Sequence, residues 1–172
     1  MAKGMKIEEV NSLINDECVD VFKNIVECFP QVAKAICTQR PFRSAEHMAD
    51  VAGKYLDQLP TEGKEEVLKL HPDLAGRLAD EGKLTSESTK EQKSAGLDKL
   101  SAQEKIKMNQ LNTSYREKFG FPFVICAREN KVEAILQGLE ARLKNTRDNE
   151  LGTGINEVKK ICRLRIDDLV TS

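Results

Sequence analysis

A chain of 172 residues suits one compact domain and can bury a core without disulfide staples or a structural metal. With 40 % hydrophobic and 32 % charged residues, the composition is neither that of a disordered chain nor that of a membrane protein, and no apolar run approaches the roughly 20 residues that span a bilayer. With a net charge of −1 and no long basic block, nothing favours nucleic acid as a partner, and without a spanning apolar run no membrane partner is expected.

The apolar pattern is helical almost throughout. Cys18, Phe22, Ile25, Val26 and Phe29 form a first stripe, and Pro30 opens a short helix bearing Ala33, Ile36 and Cys37. Ser44 is placed to cap a helix whose buried face holds Met48, Val51, Ala52, Tyr55, Leu56 and Leu59, and Pro60 stops it. Thr61 is read as the cap of a helix carrying Val67, Leu68 and Leu70. The proline in His71-Pro72 disfavours helical geometry at the residue before it, so His71 is predicted at a break, with Pro72 starting the next helix through Leu74 and Leu78. Residues 80–93 are polar and read as a surface loop running into a helix. Ser101 with Glu104 forms a capping box before a long helix with Met108, Leu111, Tyr115 and Phe119 inward, closed by Gly120. Phe121-Pro122-Phe123-Val124-Ile125-Cys126 is extended and apolar. Buried between helices, its backbone groups need partners, and a polar ligand is one source of them. Two more helices follow, on Val132, Ile135, Leu136, Leu139 and Leu143, then on Ile155, Val158, Ile161, Cys162 and Leu169, separated by Gly152-Thr153-Gly154. The expectation is an all-α single compact domain over residues 1–172, of roughly seven to nine helices and without a significant sheet.

Five cysteines, Cys18, Cys28, Cys37, Cys126 and Cys162, contain no Cys-x-x-Cys pair and sit mostly among apolar residues. They read as small hydrophobes in a reducing compartment, without a disulfide framework. Two histidines, His47 and His71, are too few and too isolated for an expected metal site. Residues 1–4, which precede a second methionine at Met5, are set aside as a leader. Glycine-rich phosphate loops, the Gly-x-Ser-x-Gly elbow and the His-Glu-x-x-His zinc motif are absent.

The remaining candidates for chemistry are His71-Pro72, the run Ser86-Glu87-Ser88-Thr89-Lys90-Glu91-Gln92, and the segment ending at Arg128. Each has a plain structural alternative. His71 can simply end one helix. Ser88 and Glu91 have capping-box spacing, so Glu91 can simply satisfy a helix start. Residues 121–125 can be core filler, and Arg128 a surface charge. Read from the residues alone, the chain is a helical domain with one unusual polar loop.

Taken together, three ordered stretches resemble the 2-oxo-4-hydroxy-4-carboxy-5-ureidoimidazoline decarboxylase family: His71-Pro72-Asp73-Leu74-Ala75-Gly76, Ser88-Thr89-Lys90-Glu91-Gln92-Lys93-Ser94-Ala95-Gly96-Leu97-Asp98, and Phe119-Gly120-Phe121-Pro122-Phe123. Phe29-Pro30 and Arg40-Pro41-Phe42 fit as well. The resemblance implies an all-helical homodimer, no cofactor, and a lyase of purine and urate degradation that forms (S)-allantoin from a small ureidoimidazoline. It implies His71 as the proton-transferring residue beside the catalytic Glu91, next to Gln92. A substrate could then be held by Pro72, Ser88, Thr89, Lys90, Glu91 and Gln92, by the backbone of Phe123, Val124, Ile125, Cys126 and Ala127, and by Arg128 as carboxylate partner. Animal members imply a peroxisomal location, although Val170-Thr171-Ser172 is not a Ser-Lys-Leu ending; the cytosol is the other expectation. The alternatives are a non-enzymatic helical interaction module, with no pocket at the polar loop, and a related ureide or hydantoin hydrolase.

Overall fold

The computed structural model describes residues 4–171. Met1 to Lys3, most of the leader reading, and Ser172, the last residue of the C-terminal tripeptide, lie outside the described residues. Ten α-helices are present among them: α1 (Ile7–Ser12), α2 (Asn15–Phe22), α3 (Gln31–Cys37), α4 (Ala45–Asp57), α5 (Thr61–Lys69), α6 (Arg77–Asp80), α7 (Ser86–Ala95), α8 (Ala102–Phe119), α9 (Val132–Arg142) and α10 (Arg147–Leu169). Two residue pairs, β1 (Met5–Lys6) and β2 (Val170–Thr171), form a parallel ladder with Met5 opposite Val170. The all-α expectation holds, with α1 added to the expected helices.

The contacts fall into two compact units, one of residues 1–67 with 158–172 and one of residues 68–157. In the first, Val10, Cys18, Phe22, Ile36, Met48, Ala52 and Leu56 are buried. Arg40 caps two helices at once: Nη1 donates to the carbonyls of Val10 and Leu13 at 2.9 and 2.5 Å, and Nε to that of Cys37 at 3.0 Å. Asn11 brackets Phe42, donating to its carbonyl at 2.9 Å and accepting from its N–H at 2.8 Å. The peptide between Arg40 and Pro41 is cis. Arg165 of α10 reaches Glu27 at 3.1 Å in a buried ion pair.

Several local expectations are corrected. The first stripe is not one helix: α2 ends at Phe22, and Ile25, Val26 and Phe29 are buried from turns. Ser44 does cap α4, accepting from the His47 N–H at 3.0 Å. Thr61 is not a cap but the first residue of α5, and the Pro60 carbonyl accepts from Lys64 N–H at 2.9 Å. Cys18 and Cys37 are joined in a disulfide between α2 and α3, contrary to the expected free thiols; the two helices pack together and bring the Cα atoms to 6.2 Å, within disulfide reach. Leu70 lies on the exposed side.

In the second unit, the Ser101 and Glu104 capping box of α8 is formed as expected, and Gly120 closes that helix at φ 81°. Gly152 and Gly154 do not separate two helices; both lie inside α10. The reason at Gly154 is close approach. A Cβ there would stand 3.0 Å from two methyl carbons of Leu68, so glycine lets that side chain in at a modest cost in helix propensity. The core is aromatic: Tyr115 lies 4.5 Å from Phe119 and 5.4 Å from Phe123 between ring centres, while Phe119 stacks on Phe121 at 6.1 Å.

Candidate active site

The site residues begin where α5 runs out. His71 donates its N–H to the Leu68 carbonyl at 3.1 Å, and the chain then leaves helical geometry, as Pro72 requires. His71 is 8 % exposed. Pro72 does not start a helix. Residues 72–76 form an irregular loop, and α6 begins only at Arg77. Ala75 has φ of +51°, a left-handed conformation that a residue with a Cβ adopts only when held there.

What holds it is a set of side chains from two helices. Gln92 of α7 accepts from the Ala75 N–H at 2.9 Å and donates to the Asp73 carbonyl at 3.3 Å. Asn112 of α8 donates to the Leu74 carbonyl at 3.0 Å, and Lys105 to that of Ala75 at 3.3 Å. Lys105 also pairs with Asp80. Arg116 reaches Asp73 at 3.0 Å; burial pushes the Asp73 carboxyl above its ordinary range, and that guanidinium opposes the rise. Three consecutive carbonyls after His71-Pro72 are thus bound by three side chains, and the loop is fixed rather than free.

Gly76 completes the loop, because a Cβ there would fall 2.6 Å from the Cβ of Asp73. The variant Gly76→Ala is therefore expected to cost about 1–3 kcal/mol through forced displacement, with turnover falling as the His71 loop shifts. A thermal melt beside an activity assay checks this, and an unchanged midpoint would show that the loop yields freely.

α7 carries the second group. Its start is capped by Thr85, whose hydroxyl accepts from Ser88 N–H at 3.2 Å, and Gly96 ends it at φ 86°. The capping-box reading of Ser88 and Glu91 is thereby excluded, since both lie inside the helix. Residues 80–93 are a surface loop only in part: from Ser86 onward they are helical. Ser88, Glu91, Gln92 and Ala95 recur at three- and four-residue steps and all are buried, Glu91 at 9 % exposure. Three of these four are polar. Burying a polar group is unfavourable unless it is paired, and Gln92 is paired at both amide ends with the His71 loop. Lys90 lies on the exposed face and Thr89 at its edge.

The third group is the segment of residues 121–128. α7 packs against the short helical turn Ala127–Glu129 that ends it. Phe123, Val124, Cys126 and Ala127 are buried, Ile125 half-buried and Arg128 exposed. Protein side chains supply partners for part of this backbone. Arg142 donates to the Val124 carbonyl at 2.8 Å, Glu157 accepts from Cys126 N–H at 3.1 Å, and Asn130 donates to the Cys126 carbonyl at 2.9 Å. Burial, with Glu129 and Glu157 nearby, pushes the Cys126 thiol up to about 11, so it stays protonated near neutrality and is no nucleophile.

Behind the segment lies a buried charged network. Glu150 is 0 % exposed and accepts from Tyr115 at 2.6 Å, from Arg142 Nε at 2.7 Å and from Asn145 at 2.9 Å. Arg142 also lies 4.4 Å from the centre of the Phe123 ring. Burial and the Glu150 carboxylate raise the Tyr115 hydroxyl further above its ordinary range, which keeps it a donor.

The structure therefore joins α7 to the His71 loop through Gln92, and to the 121–128 segment through packing. A cavity of about 270 Å³ adjoins this junction, with Ala75, Thr89, Gln92, Leu97 and Lys105 in its wall; of the expected site residues it takes in only Thr89 and Gln92. No group of three or more potential metal ligands occurs among the described residues. Asn112, Lys105 and Arg116 were not anticipated. Asn112 was legible, since it falls four residues after Met108 and three before Tyr115 on the buried stripe.

The profile of the family described as OHCU decarboxylase matches residues 11–167. The 2-oxo-4-hydroxy-4-carboxy-5-ureidoimidazoline decarboxylase of Amia calva is 47 % identical over 166 residues, which cover 96 % of this chain and 95 % of that protein. The protein of the same name from Xenopus laevis is 47 % identical, covering 96 % of this chain and 94 % of its own length. A crystal structure of OHCU decarboxylase in the presence of (S)-allantoin is similar with a TM-score of 0.70 at 25 % identity, over 87 % of this chain and 96 % of that one. With a profile match across nearly its whole length and relatives of matching extent, the chain belongs to the OHCU decarboxylase family.

Proposed function

We propose that this protein removes carbon dioxide from 2-oxo-4-hydroxy-4-carboxy-5-ureidoimidazoline to give (S)-allantoin, the substrate named for its relatives and the ligand named for its structural neighbour. The observation that carries the reading is the inward polar stripe of α7, with Glu91 and Gln92 buried beside the clamped loop that carries His71.

The chemistry suits a site built only of side chains. When the carbon–carbon bond to the carboxylate breaks, carbon dioxide leaves, and its electron pair passes into the unsaturated ring next door. The pair becomes a ring carbon–carbon double bond as the ring C=N pair moves onto its nitrogen, which takes a proton from solvent. The resulting enol loses its hydroxyl proton to solvent as it becomes a carbonyl, and a proton delivered to the ureido-bearing carbon completes allantoin. The protein's task is to orient the ring, exclude water and deliver the proton to one face. His71 is the residue type suited to that transfer near neutral pH. Glu91 accepts from ring or ureido N–H groups. Gln92 has both amide ends on the His71 loop and retains one N–H for the substrate. Pro72 and Ser88 flank these groups, Phe123 to Ala127 supply an apolar wall, and Arg128 and Lys90 belong to the exposed margin. The test is stereochemical: fresh substrate incubated with the protein should yield optically active allantoin, against racemate from spontaneous decay. Racemate at the spontaneous rate would refute the reading.

The same reading includes a homodimer and peroxisomal residence, both supported by family membership alone. Sedimentation at micromolar concentration should give twice the mass of the 19.3 kDa chain, and a monomer there would remove the dimer from it.

A further inference from the structure

The buried stripe of α8 runs Met108, Asn112, Tyr115 and Phe119. A polar amide at the second position is unexpected, since an apolar side chain of similar size would pack there without losing hydration. The amide donates from Nδ2 to the Leu74 carbonyl at 3.0 Å, while its Oδ1 is buried with no hydrogen-bond partner among the described residues. An arrangement that leaves a buried acceptor unmet is a poor way to stabilise a helix interface. Its use lies in what the donor end grips. Leu74 is the middle of the three consecutive carbonyls that follow His71-Pro72, with Gln92 holding Asp73 on one side and Ala75 on the other. The Leu74 carbonyl and the Ala75 N–H are the two edges of one peptide, so Asn112 and Gln92 grip it from opposite sides. Without the grip at Leu74 that peptide keeps only its bond to Gln92, and the strained Ala75 conformation gives it reason to tilt.

We propose that Asn112 is a positioning residue for the decarboxylation. It fixes the backbone of residues 72–75 so that the imidazole of His71 meets one face of the planar intermediate. The inference rests on the reading of His71 as the proton-transferring group. A misplaced donor leaves the intermediate waiting. Water then protonates it from either side, and the product loses optical purity as well as rate.

The experiment compares Asn112→Asp, which keeps the shape and removes the amide donor, with Asn112→Leu, which continues the apolar stripe. Both are measured for turnover per folded molecule, with folding followed by far-ultraviolet circular dichroism, and for the enantiomeric purity of allantoin after subtraction of the spontaneous product. A purely structural role changes the amount of folded protein but not the handedness each molecule produces. The expected result is turnover lowered by about 10- to 100-fold, as a misplacement on the order of 1 Å produces, with product shifted toward racemate. Allantoin of wild-type optical purity from both variants would overturn the proposal. His71→Ala runs in parallel to separate the two readings. If it turns over like wild type, the reading of His71 itself fails. If it is inactive while both Asn112 variants stay stereospecific, only the role of Asn112 falls.

Discussion

His71→Ala is expected to lower enzyme-dependent formation of (S)-allantoin by about 10²–10⁴-fold, the usual contribution of a general acid–base group. Glu91→Ala is expected to lose substrate affinity as well as rate. The two variants discriminate because the structure has removed one competing explanation. Thr85, not Ser88, caps α7, and Glu91 lies within the helix, so no capping bond is lost with its side chain. His71 ends α5 through its backbone N–H, which alanine retains. Replacing a buried ring by a methyl group still removes packing, so the melting midpoint must be measured beside the rate, with His71→Asn and Glu91→Gln as closer substitutes. Folded protein without turnover supports the assignment. Lowered melting with normal activity per folded molecule would sink it.

Glu150→Ala should produce the largest loss of stability. The carboxylate is fully buried and serves Tyr115, Arg142 and Asn145 together. Its removal strands the Arg142 guanidinium, whose Nη2 is already buried without a hydrogen-bond partner among the described residues. Breaking a buried pair by deleting one member typically costs about 3–5 kcal/mol, because the surviving charge keeps its desolvation penalty. In a protein of this size each kcal/mol moves the midpoint by about 2–4 °C, so a fall of roughly 6–20 °C is expected. Glu150→Gln should fall less, because its amide oxygen still accepts. The loss should carry into activity, since Arg142 holds the Val124 carbonyl of the segment packed beside α7. A melt within about 2 °C of wild type would mean that the network relaxes without cost.

Much of the helical fold was legible because its stripes are apolar. α4, α8 and α9 follow from hydrophobic spacing, and Ser44, Ser101 and Gly120 set ends that the structure reproduces. The errors share physical causes. Ile25, Val26 and Phe29 are buried from turns, and burial alone does not report backbone geometry. Gly152 and Gly154 look like a break because glycine has two uses, and only the nearness of Leu68 reveals which applies at Gly154. The contact that joins Cys18 to Cys37 arises where α2 meets α3, which no local spacing records. The start of α7 was illegible because a search for apolar periodicity passes over a stripe of Ser88, Glu91 and Gln92. The site was recognised through ordered motifs; of its supports, Asn112 could be read from its place on the buried stripe of α8, while Lys105 and Arg116 came into view only through their bonds to the Ala75 carbonyl and the Asp73 carboxylate.

The polar inner face of α7 has a consequence for how the molecule is assembled. Ala95 is the single aliphatic member of that face, so the helix gains little from expelling water and is not drawn inward by collapse as α8 is. Its docking depends on directional bonds such as those of Gln92, which form only once their targets stand in place. A helix held chiefly by such bonds is expected to open before the apolar helices do. A ligand that engages Glu91 then contributes cohesion that the sequence withheld, and occupancy by substrate or product should register first as slowed amide exchange along α7.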